Sequence, residues 1–232
     1  MKQGLTQGKL LQAQIQEQSE TKEPNQRKPR YEDRSYKVMK RIFDIVLASV
    51  GLLVLFPVYL IIAILVMVDN GFPIFFKHER VGQHNSRFYV FKFRSMRRDA
   101  EKILHENPEL LKQYKEGFKI TDDPRLLRIG KFIRETSLDE LPQLLNVVRG
   151  EMSLVGPRPI IEMEIDRYNG IETYFRMKPG CAGIWQCSGR SEVDYETRLA
   201  MNQQYYETAS IRRDIVILAK TVWSVLKREG AM

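Results

Sequence analysis

The stretch Ile42 to Val68 reads IFDIVLASVGLLVLFPVYLIIAILVMV. At about 1.5 Å per residue a helix of this length covers a hydrocarbon layer of roughly 30 Å. Pro57 interrupts it: proline gives no N–H to the helix ladder, and its ring clashes with the preceding turn. The segment reads either as a simple transmembrane span or as a broken helix that enters a bilayer and returns on the same face. Basic residues flank both ends, with Lys37, Lys40 and Arg41 before it and Lys77, Arg80 and Arg87 after it. A spanning helix carries its positive charge mainly on the cytoplasmic side, so balanced flanks suit the re-entrant form. Proline kinks also occur in true spans, and these features leave both readings open.

Outward from that segment the chain changes character. Residues 1–35 are polar, rich in Gln, Glu and Lys. Such a composition cannot bury a core and predicts a mobile tail. The tail has neither the apolar run nor the small-residue cleavage site of a signal peptide. Residues 36–70 form the membrane element, and 71–232 form one domain of ordinary size. The whole chain's net charge of +8 and pI near 9.4 point to an anionic partner such as lipid head groups or nucleotide phosphates. No helix-turn-helix, zinc-finger or RNP-type motif accompanies that charge, so no nucleic acid partner is expected. A mean hydropathy of −0.36 excludes a polytopic membrane protein. Cys181 and Cys187 lack metal or redox spacing, which predicts reduced thiols. His78, His84 and His105 show no zinc-ligand spacing.

Within 71–232 a β-hairpin is expected where Phe75–Phe76 and Phe88–Phe93 flank the polar turn Gly82–Ser86. Asp99–Tyr114 has helical spacing broken at Pro108, and Ile160–Arg176 reads as one further helix. Lys178–Arg190 is a glycine-punctuated loop or short strand pair. Ile211, Ile215, Leu218 and Val222 form the stripe of an amphipathic C-terminal helix, which either lies on a bilayer or packs on the core. The expected fold is mainly α with a small β element, with amphipathic helices at the interface.

The chemistry concentrates in Thr136 to Pro159, TSLDELPQLLNVVRGEMSLVGPRP. Asp139 and Glu140 are adjacent carboxylates, and on a helix neighbouring side chains point about 100° apart, so they do different jobs. One can attack phosphorus or hold a metal while the other orients it. Ser137 and Glu140 also have capping-box spacing, a purely structural role for Glu140. Arginines suited to bidentate phosphate contact lie beside turns or strands: Arg94, Arg125, Arg134, Arg158 and Arg190. Arg158 stands out because Pro157 and Pro159 restrict its backbone.

KFRSM (92–96), TDDPRLLRIGKFIRE (121–135), the 136–159 stretch, KPGCAGIWQCSGRS (178–191) and KTVWSVLKREGA (220–231) occur in order. Together they resemble the bacterial sugar transferases, the monotopic polyprenol-phosphate phosphoglycosyl transferases, from about Lys37 to the C-terminus. The resemblance implies transfer of a sugar-1-phosphate from a UDP-sugar to undecaprenyl phosphate with release of UMP. It implies that Asp139 is the nucleophile of a covalent phosphosugar intermediate, that Glu140 is its partner, and that Mg2+, held at Asp139, neutralises the diphosphate. It implies a re-entrant helix-break-helix at Pro57, where many members carry Ser-Pro and this chain has Phe56-Pro57. It places the catalytic domain on the cytoplasmic face of the bacterial inner membrane, against the lipid bilayer, in exopolysaccharide, capsule or O-antigen synthesis. The WQCSGRS loop and the following EVDYETR resemble members that use glucose or galactose. A homodimer stays open. The competing functions are an inactive membrane-tethered scaffold of a polysaccharide assembly complex, against which the intact Asp-Glu pair speaks, and a basic protein binding anions through charge alone.

Overall fold

The computed structural model describes residues 28–117, 120, 123–165, 170–187 and 193–227. The chain is mostly helical, with two small sheets. Helix α1 spans Arg34–Val54 and α2 spans Phe56–Asn70. The Asp33 carboxylate caps α1 by accepting from the N–H groups of Ser35 and Tyr36 at 2.8 and 3.2 Å. The two helices meet at Leu55 with a bend of 60°. Pro57 lies in the first turn of α2, where a backbone N–H has no intrahelical partner anyway. The chain therefore restarts a helix there instead of continuing one. Neither helix alone is long and apolar enough to cross a membrane; the bent pair together has the length and composition of a broken span or a re-entrant loop.

One face of α1 buries Tyr36, Lys40, Asp44 and Ala48, four residues apart, against the rest of the protein. Its other face leaves Val38, Ile42, Val50 and Leu53 exposed, and α2 exposes Leu60, Ile61 and Val68. Exposed apolar residues in such numbers mark a contact surface for a partner, a ligand or a membrane.

The expected hairpin forms as β1 (Phe75–Val81) and β2 (Arg87–Phe93), antiparallel, with Phe76 opposite Lys92, His78 opposite Val90 and Arg80 opposite Phe88. Helices α3 (Ala100–Glu106) and α4 (Pro108–Gly117) separate at the expected proline. Then follow α5 (Gly130–Glu135), α6 (Gln143–Arg149) and β3 (Ser153–Val155). Among the described residues of 160–176 there are two short helices instead of one, α7 (Glu162–Ile165) and α8 (Glu172–Arg176). Ile160 is held in an isolated bridge to Val81, and Gly170 has φ +81°, a left-handed conformation that no continuous helix contains.

Strand β4 (Gly180–Ala182) pairs in parallel with β3, Ser153 opposite Gly180. The backbones cross closely here: a Cβ at Gly156 would lie 2.3 Å from the Lys178 carbonyl oxygen, and one at Gly180 would lie 2.1 Å from the Gly156 nitrogen. Cys181 and Cys187 are free thiols. Helices α9 (Tyr195–Thr208) and α10 (Ile211–Leu226) complete the fold. Asp214, Ile217 and Ser224 of α10 face the core, while Ile215, Val216, Val222 and Trp223 are exposed.

A polar cluster fastens α1 to the rest of the fold. Lys40 Nζ lies 2.9 Å from Asp214 Oδ2 and 3.8 Å from Asp44 Oδ1. The hydroxyls of Tyr36 and Tyr205 donate to Asp214 at 3.0 and 2.6 Å, and Asp44 accepts the Leu154 N–H at 3.1 Å. All six residues are buried, so each charge is offset by a partner, as buried ions require. The expected tail boundary at residue 35 also shifts. Tyr31 is buried, and its hydroxyl accepts the Lys178 N–H at 3.1 Å; one large aromatic ring is enough to anchor an otherwise polar segment. Residues 1–27 of that tail lie outside the described residues.

Candidate active site

The hairpin builds one wall of the site. Alternation along a strand sends every second side chain to the same face, and the observed register puts His78, Arg80 and Lys92 together. The opposite wall is a 3-10 turn, Leu138–Glu140, between α5 and α6. The expected capping box is absent. Ser137 has φ +55° and makes no side-chain cap bond, and α6 begins only at Gln143, after Pro142. The carboxylates thus sit on a tight turn ahead of the helix, and Glu140 is released from capping. Its Oε1 accepts from Lys92 Nζ at 2.5 Å, and the same ammonium lies 3.9 Å from Asp139 Oδ2.

The two carboxyls differ in environment. Asp139 is buried, 7% exposed. Burial, reinforced by the charge of Glu140, pushes its pKa up to about 6 against the opposing pull of Lys92 and Arg134. Withdrawal from water acts on Glu140 in the same sense, but Lys92, then Arg158 and Arg80, outweigh it and hold this carboxyl below its usual range. The pair is therefore split, the arrangement that lets neighbouring acids take different roles. Burial and then Arg80, Lys92 and Arg158 push His78 down to about 4, so the ring is neutral at neutral pH. Its Nδ1 accepts from Arg80 Nη2 at 3.2 Å, because arginine can only donate.

The structure sorts the candidate arginines. Arg158 and Arg134 act on the carboxylates through charge. Arg158 also donates to Glu164 at 3.3 Å. Arg125 is buried, doubly bonded to Asp123 at 2.8 and 2.7 Å and stacked over Tyr114; its guanidinium is committed to the fold of its own turn. Arg94 donates through Nε to the Pro73 carbonyl at 2.9 Å, which ties the hairpin to the end of α2. Arg190 lies outside the described residues. Sequence reasoning passed over Lys92, Arg80, His78 and Glu164. Lys92 opens the quoted KFRSM stretch, and strand alternation would have grouped it with residues 78 and 80 once the register was known. Glu164 carried no signal.

Among the described residues no group of three or more His, Cys, Asp or Glu side chains could hold a metal. Mg2+ does not need such a cage, because it binds through one or two carboxylates together with water and substrate phosphate oxygens. Asp139 fits that donor set: it is an anionic oxygen ligand beside a cluster of phosphate-attracting cations. A separate cleft of about 620 Å3 opens beside Lys77, Arg87, Tyr89, Phe91, Arg149 and Lys178 and includes neither carboxylate.

Comparison with known proteins places the chain. A sequence model described as "Bacterial sugar transferase" matches residues 35–228. The chain belongs to the bacterial sugar transferase family. It is 50% identical over 202 residues to the UDP-galactose-lipid carrier transferase of Erwinia amylovora, covering 85% of this chain and 42% of that protein. It is 37% identical over 204 residues to the UDP-glucose:undecaprenyl-phosphate glucose-1-phosphate transferase of Escherichia coli, covering 84% of this chain and 42% of the relative. It is 42% identical over 197 residues to the exopolysaccharide production protein ExoY of Rhizobium meliloti, covering 83% and 87%. The chain thus spans about two fifths of the length of the first two relatives and most of the third.

Proposed function

We propose that the protein transfers galactose-1-phosphate or glucose-1-phosphate from the UDP-sugar to undecaprenyl phosphate, releasing UMP, as the first membrane step of an exopolysaccharide, capsule or O-antigen. The names of the relatives support this reaction and these two sugars. The observation that carries the mechanism is the split carboxylate pair: a buried Asp139 and an ion-paired Glu140 sharing Lys92.

In this mechanism an Asp139 carboxylate oxygen attacks the β-phosphorus of the donor. The bond from that phosphorus to the UMP oxygen breaks, and its electron pair leaves with UMP. The phosphate oxygen of the lipid acceptor then attacks the same phosphorus and breaks the acyl-phosphate bond, restoring the carboxylate and yielding the lipid diphosphate sugar. Two half-reactions keep two anionic substrates from crowding one site, and ping-pong kinetics follow. With a pKa of about 6, roughly nine in ten Asp139 carboxyls are ionised at pH 7. Lys92 sustains that ionisation and anchors Glu140. Arg158 and Arg134 supply fixed positive charge for the phosphoryl oxygens. Mg2+ bound at Asp139 would neutralise the donor diphosphate. The bent α1–α2 pair and the exposed face of α10 seat the domain on the cytoplasmic face of the inner membrane, where a lipid phosphate reaches the site while its tail stays in the bilayer.

The test is UMP release by the lipid-embedded protein across UDP-glucose, UDP-galactose and N-acetylated UDP-sugars, with and without undecaprenyl phosphate and chelator. The expected result is Mg2+-dependent release with a hexose donor, and a phosphosugar adduct on Asp139 when donor is supplied alone. No release with any donor, from protein shown to be folded, would sink the proposal.

A further inference from the structure

Glu164 is a buried carboxylate that the reaction above does not use. It is 6% exposed and stands between two guanidinium groups. Its Oε1 accepts from Arg158 Nη1 at 3.3 Å, and its Oε2 lies 3.7 Å from Arg80 Nη1. Oε2 also accepts the Ile161 N–H at 2.9 Å. The same Arg80 Nη1 also donates to the Pro159 carbonyl at 3.3 Å, and Nη2 donates to His78 Nδ1 at 3.2 Å. Arg158 is different: 40% of its side chain is exposed, and among the described residues Glu164 is the one carboxylate within ion-pair distance of it, while Glu140 feels it only through longer-range charge.

The fold does not need a charge at this position. The junction between β1 and the 158–161 segment is already closed by the Val81–Ile160 bridge. Tyr174 reinforces it, donating to the Val81 carbonyl at 2.6 Å and accepting the Ile160 N–H at 3.2 Å. A neutral side chain could satisfy the Ile161 N–H. What only an anion can do is hold two like-charged guanidiniums side by side, since without it they repel and the exposed one turns toward water.

We infer that Glu164 is a positioning residue that fixes Arg158 beside Arg80, with one edge of the Arg158 guanidinium anchored and the other left for the diphosphate of the donor. This rests on the proposed transfer reaction. Positioning of this kind acts on the transition state more than on the ground state. Removal of the negative charge leaves the site more cationic, so ground-state binding of an anionic donor does not weaken for electrostatic reasons.

The experiment compares wild type, Glu164→Gln, Arg158→Ala and the double variant as full-length, lipid-embedded proteins, with melting temperature and adduct stoichiometry fixing the active fraction. Per active molecule, Glu164→Gln is expected to lower kcat at least about tenfold with KM for the UDP-sugar unchanged or lower. In the Arg158→Ala background the same substitution is expected to have little further effect, because the residue it positions is gone. Glu164→Asp, which keeps the charge but is too short to span both arginines, is expected to lose part of kcat and serves if Gln at 164 does not fold. A kcat within twofold of wild type would overturn the inference. So would a loss explained by the unfolded fraction, a rise in KM at constant kcat, or a loss equally large without Arg158. If wild type itself releases no UMP, the transfer reaction fails; if wild type turns over and the variants do too, only the role of Glu164 fails.

Discussion

Asp139→Asn should abolish transfer and at the same time make the protein more stable at neutral pH. The folded carboxyl keeps its proton up to about pH 6, whereas an unperturbed one releases it near 3.8. Folding therefore takes up a proton between those values, and wild type loses stability as pH rises through that window. Asn has the same shape and no charge, so it escapes the loss. At roughly 1.4 kcal/mol per pH unit, the variant gains about 3 kcal/mol at pH 7.5 and about half of that at pH 5. For a chain of this size that is a rise in melting temperature of about 6–12 °C at pH 7.5 and about half as much at pH 5. Thermal unfolding of both proteins in the same lipid nanodiscs at the two pH values measures it. If Asp139→Asn melts at or below wild type at pH 7.5, or gains equally at both pH values, then Asp139 is not held ionised against its environment, and the account of the split pair is wrong.

Two further outcomes follow from the same contacts. Lys92→Met removes the largest influence lowering the Asp139 pKa. The acidic limb of the kcat/KM–pH profile should move to higher pH, each unit of movement costing about tenfold in ionised nucleophile at a fixed pH below the new pKa; an unmoved limb would show that Lys92 does not set it. Lys40→Met leaves Asp214 and Asp44 buried without their cation; breaking such a pair costs about 3–5 kcal/mol, seen as a matching loss in denaturant midpoint, and a loss under about 1 kcal/mol would contradict the reading of that cluster as the fastening of α1 to the domain.

The local elements were legible where one short-range rule governs. The hairpin followed from aromatic runs around a polar turn, the separation of α3 and α4 from Pro108, and the C-terminal helix from its apolar stripe. Prediction failed where a distant contact overrode local pattern. Residues 160–176 have helical composition, but the bridge from Ile160 to Val81 and the left-handed Gly170 divide them. Ser137 and Glu140 have capping spacing, yet Lys92 across the site claims the Glu140 carboxylate. Tyr31 belongs by composition to a tail and by contact to the core.

Composition and order along the chain were enough to establish the apolar break at Pro57, the adjacent carboxylates and the prolines on either side of Arg158, because covalent geometry and hydrophobicity are properties of neighbouring residues. Which cations meet which acids was decided by the fold. Lys92, Arg80 and Glu164 lie 47, 59 and 25 positions from Asp139, and only strand register and the return of the chain after Arg158 bring them into one electrostatic field. Charges interact according to distance in space, and that distance is not written in the spacing of the sequence.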